Sequence, residues 1–237
     1  MSNAVSNLFG ADIDEDRVQA LGSPVDFVRR RIDGRYPIDA FGGDAQLMDL
    51  AGQFLALGVR VEVEHAERLP RIGGALVVAN RGLGVVEPAA VAIAVRQAVG
   101  RRLRVIGAPD LPFLGDVLRK IGAMGYRADD VAALLRAGHL AAAPLAPTWL
   151  RSGAGAPPRK LLAAILGFPV VPVAVLPGGP GRLPIRPWRV VVGRVVETVT
   201  HAVPGDTLAA AELAERTRAA VNTLLAEGRR RIEAGSS

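Results

Sequence analysis

Hydrophobic and polar residues alternate with two different periods in the first half of the chain. Over residues 44–57, apolar side chains recur every three or four positions, which predicts an amphipathic helix. Residues 59–65, VRVEVEH, alternate between apolar and polar side chains, which predicts a half-buried strand. The two patterns together indicate that helices and strands both contribute to the fold.

From residue 75 onward, predicted strands and helices alternate. Strands are predicted at ALVVAN, LRVIGA, HLAAAPL, PVVPVAVL and WRVVVGRVV, and AMGYR is a short segment between two helices. Helices are predicted at PAAVAIAVRQAV, PFLGDVLRKIG, DDVAALLRAG, KLLAAILG and, last, over about 208–232. This order predicts an α/β fold with a mostly parallel or mixed central sheet, covered by helices on both faces.

The carboxyl ends of the predicted strands are the expected place for a functional site, since ligands of such sheets bind there. Four loops follow strands in this way, at 80–87, 108–112, 125–129 and 144–155.

One domain is expected over residues 23–237. Half of the 237 residues are hydrophobic, which is ample for one large core. Ser23 and Pro24 form a helix-start signal, so a short helix is expected over 26–33. Residues 1–22 are polar and acidic; they are expected to be disordered or loosely packed and to contain no secretory signal.

The uncharged run over residues 161–181 has nearly the length of a membrane span. Prolines and glycines interrupt it, so it is interpreted as a helix end, a turn at Gly167 and a buried strand over 169–176.

Composition excludes several kinds of site. The chain has no cysteine, which excludes disulfides and cysteine nucleophiles and is consistent with a cytosolic protein. Its three histidines, His65, His139 and His201, are far apart, so no metal site is expected. The net charge is +6 and all but two of the 29 basic residues are arginine, which favours an anionic partner. Without a basic stripe carrying aromatic residues, no nucleic-acid partner is expected.

The stretch VVANRGLGVVEPAAVAI joins a predicted strand to a predicted helix and contains candidate chemistry. Arg81 either holds a phosphate or carboxylate at the strand end or pairs with Glu87 on the surface. Glu87 is either a general base or a carboxylate that stabilises the helix N terminus. Gly82 and Gly84 match no nucleotide-binding fingerprint, so no cofactor is expected.

Four sequence blocks, spread over about residues 25–230, resemble the glycerolipid acyltransferase superfamily, which includes lysophosphatidate acyltransferases. GGALVVAN with EPAAVAI resembles the first block, VANHxSxxDPxxL, and IGAMGYR resembles the second, GxxFxDR. AGHLAAAPLAPTWLRSG stands where the family has a strand and FPEGTRS, and FPVVPVAVLPG resembles the fourth block, VPIVPVAV. The leader RRRIDGRYPIDAFGGD is similar to that of an actinobacterial branch.

The resemblance implies a site in which the chemical groups have changed. Arg81 stands at the position of the family's general-base histidine, and a guanidinium has no acceptor and a pKa above about 12, so it cannot be the base. Glu87 takes the acid position one residue late, and Leu145 replaces the FPEG glutamate. By resemblance, Glu87 is the catalytic candidate. The substrate-binding candidates are Asn80, Arg81, Gly82, Gly84, Arg127, Pro144 and Trp149.

Two functions follow from the resemblance. One is transfer of a fatty acyl group from acyl-CoA or acyl-carrier protein to a lysophospholipid or glycerol-phosphate-type acceptor, with an activity that is lost or altered. The other is a pseudoenzyme that binds lipid or acyl thioester as a carrier, sensor or partner of an active paralogue. A third possibility is that Arg81 plugs the site. Family substrates imply a cytoplasmic protein in phospholipid biosynthesis, with peripheral contact between helix 44–57 and an anionic membrane.

Overall fold

The computed structural model describes residues 33–34, 38–80, 86–107, 114–145, 159–177, 187–197 and 203–234. The chain divides into two units, 1–38 and 39–237, and every helix and strand given below belongs to the second. The predicted segment 1–22 and nearly all of the predicted helix 26–33 lie outside the described residues. The domain boundary expected at residue 23 stays a prediction.

Helices and strands alternate along the described chain as the hydrophobic pattern predicts. The strands are β1 (Val61–Glu64), β2 (Ala75–Ala79), β3 (Leu103–Ile106), β4 (Ala123–Met124), β5 (Leu140–Pro144), β6 (Val170–Leu176) and β7 (Trp188–Val192). The α-helices are α1 (Ala45–Gly58), α2 (Val86–Val99), α3 (Leu114–Lys120), α4 (Ala128–Arg136), α5 (Arg159–Ala164) and α6 (Thr207–Ala234), and a short 3-10 helix spans Ala66–Arg68.

The seven strands form one mixed sheet in the order β1-β7-β6-β2-β5-β3-β4. β6, β2, β5, β3 and β4 are parallel to one another, β7 runs antiparallel to β6, and β1 is parallel to β7. The predicted fold class is therefore confirmed. The five parallel strands end at what we call the carboxyl end of the sheet, whereas β7 and β1 end at the opposite, amino end.

Alternate side chains of the central strands pack against helices on the two faces of the sheet. Leu76 and Val78 of β2 belong to a core cluster with buried residues of α4, α5 and α6. Ala75, Val77 and Ala79 belong to a second cluster with α2. The core on both faces is almost entirely aliphatic, which follows from the aromatic content of only 4%.

The uncharged run over 161–181 folds as the sequence predicts, since α5 ends before Gly167 and the fully buried strand β6 follows. Gly167 has a φ of 94°, a left-handed conformation that favours glycine at this turn. None of the helices in the described ranges is long and apolar enough to cross a membrane.

The last predicted strand, WRVVVGRVV, is shorter in the structure than in the prediction. β7 ends at Val192, and Gly193 then donates a hydrogen bond of 2.8 Å to the carbonyl of Pro172 in β6. Pro172 has no backbone N–H and cannot donate a hydrogen bond back to Gly193, so the regular pairing of β6 with β7 ends at this point. Only Val196 bridges back to β6, at Val170.

Candidate functional site

The carboxyl ends of β2 and β5 lie side by side and bring two of the sequence blocks together. Ala79 of β2 is the register partner of Pro144, the last residue of β5. The N–H of Leu145 continues the pairing by donating to the carbonyl of Ala79 at 2.8 Å. Asn80 and Pro144 are 64 positions apart in the sequence. They nevertheless lie at the same end of the sheet, at the ends of neighbouring strands.

Asn80 joins the end of β2 to β6. Its Nδ2 donates to the carbonyl of Val175 at 2.9 Å, and its Oδ1 accepts from the N–H of Val175 at 2.6 Å. Regular pairing of β2 with β6 has its last register pair at Ala79 and Val173, so the side-chain amide extends the ladder by one step. Asn80 thus has a structural role, and its predicted contact with substrate stays a prediction.

Glu87 lies in the first turn of α2, beyond the end of β2. The side chain is partly buried, and its Oε2 is buried without a hydrogen-bond partner among the described residues. The helix dipole favours a negative charge in the first turn of α2. The carboxylate therefore follows the strand end that the sequence selects, and one of its oxygens is buried without a hydrogen-bond partner among the described residues.

Leu145 packs into the core instead of lining a polar site. It is buried and belongs to the cluster formed with α4, α5 and α6. The position that holds the FPEG glutamate in the resembling family therefore contributes an apolar side chain to the core of this protein. Residues 146–158, which include Trp149, lie outside the described part of the chain.

Arg127 is on the surface at the start of α4, where it is the N-cap residue. Its side chain is 83% exposed, and its Nε lies 3.4 Å from Oδ2 of Asp130. α4 follows β4, which is three strands from β2, a lateral distance of about 14 Å at normal strand spacing. The ion pair with Asp130 supports the interpretation of Arg127 as a surface residue. The predicted contact of Arg127 with a phosphate stays a prediction.

Neither described histidine lies at the carboxyl end of the sheet. His65 directly follows β1, and His139 directly precedes β5. Because β1 runs opposite to β5, both positions lie at the amino end. A strand of five residues is about 16 Å long, so these imidazoles are out of reach of Glu87. His201 lies outside the described residues.

Tyr126 lies at the carboxyl end of the sheet and is not among the candidate residues that the sequence selects. Its ring lies directly over Gly107, the residue after β3, where an added Cβ would be 2.8 Å from the tyrosine hydroxyl. Gly107 has a φ of 106° and donates to the carbonyl of Met124 at 2.8 Å. The sequence signal is a glycine after a strand, which permits close approach of another group to the backbone.

Several sequence candidates fall outside the described residues, namely Arg81, Gly82, Gly84 and Trp149. Within the described ranges, no group of three or more histidine, aspartate or glutamate residues is arranged to hold a metal ion.

Comparisons with known proteins give relatives of unknown activity. No protein-family model matches the chain. Uncharacterized proteins of Mycobacterium tuberculosis and Mycobacterium bovis are 29% identical to it over 277 aligned positions, which cover 92% of this chain and 77% of each relative. An uncharacterized protein of Mycobacterium leprae is 29% identical over 273 positions, covering 90% of this chain and 74% of the relative.

Among solved structures, the chain is similar to the 1-acyl-sn-glycerophosphate acyltransferase PlsC of Thermotoga maritima. The TM-score is 0.44 and the identity 15%, over 76% of this chain and 78% of the other. A likeness at this level carries no argument about the site, so the function is argued from the residues.

Proposed function

We propose that this protein is of the glycerolipid acyltransferase type and that Glu87 takes the place of the missing histidine as general base. The observation that carries the proposal is the buried Oε2 of Glu87, which has no partner among the described residues and lies beyond the end of β2. The position of the two described histidines at the amino end of the sheet supports Glu87 further, because neither of these two imidazoles competes with the carboxylate.

The proposed reaction moves one acyl group and one proton. The carboxylate of Glu87 accepts the proton of the acceptor hydroxyl, and the hydroxyl oxygen attacks the carbonyl carbon of the acyl thioester. The C–S bond breaks as the ester forms, and the thiolate leaves with the proton that Glu87 has taken up. The acyl donor is acyl-CoA or acyl-carrier protein, and the acceptor is a lysophospholipid or a glycerol-phosphate-like lipid.

The other sequence candidates have binding roles in this proposal. Arg81 and Arg127 hold the phosphate of donor or acceptor, since guanidinium groups bind phosphate through two parallel hydrogen bonds. Gly82 and Gly84 are assigned the role of stabilising the oxyanion of the tetrahedral intermediate through their backbone N–H groups. Trp149 contributes to an acyl-binding surface.

Acyl transfer by the purified protein tests the proposal. The protein is incubated with acyl-CoA of several chain lengths and with lysophosphatidate or glycerol 3-phosphate, and products are identified by mass spectrometry. Removing a general base typically costs about 10²–10⁴ in rate, so Glu87→Gln is expected to lower product formation by that factor. Glu212→Gln, which removes an exposed carboxylate of α6, is the matched control and is expected to leave the rate unchanged. Equal rates for wild type and Glu87→Gln would contradict the role of Glu87.

Binding without turnover is a second candidate function. Burial of Leu145 in the core favours it, because the carboxylate of the third block is absent from the site. The side-chain amide of Asn80 also favours binding without turnover, because one of its donors and its acceptor oxygen are already bonded to Val175. A protein that binds acyl thioester tightly and yields no product would support this candidate over the first.

Peripheral contact with an anionic membrane completes the proposal. Phe54 and Leu55 of α1 are exposed to solvent, and both are apolar. Insertion of such side chains between lipid headgroups, together with the net charge of +6, would bring the protein to the surface in which its substrates reside. The proposed location is the inner face of the cell membrane.

A further inference from the structure

A pocket rich in arginine lies at the amino end of the sheet, away from Glu87. Its volume is about 290 Å³. The lining residues are Asp39, Ala45, Met48, Asp49, Arg96, Gly100, Arg101, Arg102, Arg104 and His139. We call it the arginine pocket.

The charged residues of the arginine pocket come from β3 and the residues just before it, from α2, from α1 and from the segment that precedes α1. Arg101 and Arg102 directly precede β3, and Arg104 is the second residue of that strand. Arg96 comes from the last turn of α2, and Asp49 comes from α1. Because β3 is parallel to β2, the pocket lies at the opposite end of the sheet from the proposed acyl-transfer site.

The carboxylates in the pocket do not balance its arginines. Asp49 binds two of them, with Arg96 Nη1 at 2.5 Å and Arg102 Nη2 at 2.7 Å. Asp39 binds Arg104. Four arginines thus face two aspartates, which leaves an excess of two positive charges. Partial burial and the Arg104 guanidinium lower the pKa of His139, so its imidazole is neutral near pH 7 and adds no charge.

Arg104 is the residue that indicates a ligand. Only 3% of its side chain is exposed, and its Nη1 is buried without a hydrogen-bond partner among the described residues. Buried N–H groups are nearly always paired, and leaving one on a charged group unpaired is costly. Burial also lowers the pKa of Arg104, so the protein itself does not fully stabilise this charge.

The backbone holds the Arg104 guanidinium in place. A Cβ added to Gly43 would overlap its Nη1, so the glycine allows the backbone to lie directly against the charged group. The carboxylate of Asp39, which binds Arg104, also accepts from the N–H of Gly43 at 2.9 Å. The buried cation is therefore fixed before any ligand binds.

We propose that the arginine pocket is a second ligand site, separate from the acyl-transfer site, and that it binds a phosphate group. A fixed, buried guanidinium in the pocket wall, flanked by two half-exposed arginines and with more arginines than carboxylates around it, is the arrangement that recognises phosphate oxygens. The volume is near the lower end for small-molecule pockets, which suits a phosphate or pyrophosphate group with a small substituent. The phosphate belongs either to a free metabolite or to a lipid headgroup.

Calorimetric titration with sodium pyrophosphate, and flotation with phosphatidate-containing vesicles, distinguish the two sources. Both use the full chain and no acyl thioester, so failure here is separate from failure of the proposed acyl transfer. The test variant is Arg96→Gln/Arg102→Gln, in which the two side chains are 40% and 48% exposed. The matched control is Arg216→Gln/Arg218→Gln on α6, with exposures of 48% and 38% and the same loss of net charge.

The wild-type protein is expected to bind at least one of the two probes, and the test variant to bind it about tenfold or more weakly, as expected for lost charge-assisted hydrogen bonds. The control double variant keeps the affinity of the wild type. A second variant, Asp49→Asn, keeps every arginine and removes the carboxylate that occupies two of them, so it is expected to bind more tightly.

The proposal is overturned if neither probe binds, or if both double variants lose the same affinity, since the effect would then come from net charge alone. It is also overturned if Asp49→Asn binds more weakly than the wild type. If the test variant does not fold, the direction of the Asp49→Asn effect decides the question.

Discussion

Asn80 and Val175 exchange two hydrogen bonds, of 2.9 Å and 2.6 Å, between a side-chain amide and a strand backbone. The bonds lie where β2 ends, seven residues before Glu87 in the sequence. The same residue that the motif comparison selects for substrate binding therefore also fixes the end of the strand on which the site depends.

Replacing Asn80 by Ala is expected to lower the free energy of unfolding by about 1–3 kcal/mol, because the buried backbone groups of Val175 lose their partners. Chemical denaturation measures the change. Asn222→Ala, at an exposed position of α6, is the control and is expected to change stability by less than about 0.5 kcal/mol. If Asn80→Ala is as stable as the wild type, the structural role of Asn80 is contradicted.

Membrane contact through α1 predicts that Phe54→Ser/Leu55→Ser floats less with vesicles of anionic lipid at low salt. Both side chains are exposed, so the substitutions leave the core unchanged. Val203→Ser/Leu208→Ser removes two apolar residues elsewhere that are at least as exposed, and this variant is expected to float like the wild type. Equal flotation of all three proteins would exclude α1 as the contact.

Arg127→Gln separates the two interpretations of this residue. Its ion pair with Asp130 is exposed, so the substitution is expected to change the free energy of unfolding by less than about 0.5 kcal/mol. If Arg127 holds an acceptor phosphate, calorimetry will show weaker binding of lysophosphatidate to this variant. Arg136→Gln, at the other end of α4, is the control. Unchanged lysophosphatidate affinity in Arg127→Gln would leave Arg127 as a surface charge only.

Asp49 is expected to make stability depend on acid pH. Its hydrogen bond with Arg102, aided by Arg96, lowers the pKa of Asp49 below its ordinary value of 3.8. The stabilisation is thus complete above that ordinary value and is lost as the pH falls through the lower, folded-state pKa. The difference in free energy of unfolding between wild type and Asp49→Asn should be constant above about pH 5 and shrink below pH 4. A difference that is the same at every pH would contradict this.

The elements of the fold could be predicted from local patterns. The period of α1, the alternation in β1 and the glycine turn at Gly167 each depend on neighbouring residues alone. The order and direction of the strands could not be predicted in this way. They depend on long-range pairing, and they decide that His65 and His139 lie at the end of the sheet opposite to Glu87.

The candidate site was predictable only as far as its motifs reach. The predicted strands put the loops that begin at Asn80 and Pro144 at the same end of the sheet, and the register of β2 with β5 confirms this for Asn80 and Pro144. The arginine pocket has no such signal, because Asp39, Asp49 and Arg104 come from distant parts of the sequence and meet only in the folded chain. Three arginines within residues 101–104 are the one sequence feature that indicates an anion-binding pocket, and such a cluster is equally typical of a solvated surface.

Hydrogen exchange, measured with and without a phosphate-free acyl thioester such as an acyl-pantetheine, tests directly whether the thioester binds at the carboxyl end of the sheet. Both candidate functions require that the thioester binds beyond the carboxyl ends of β2 and β5. Slower exchange is expected for the backbone N–H groups over residues 80–90, because N–H groups in the first turn of a helix have no intrahelical partners and a bound thioester would shield them. No change in exchange anywhere, or a change confined to residues 96–104 of the arginine pocket, would contradict this expectation.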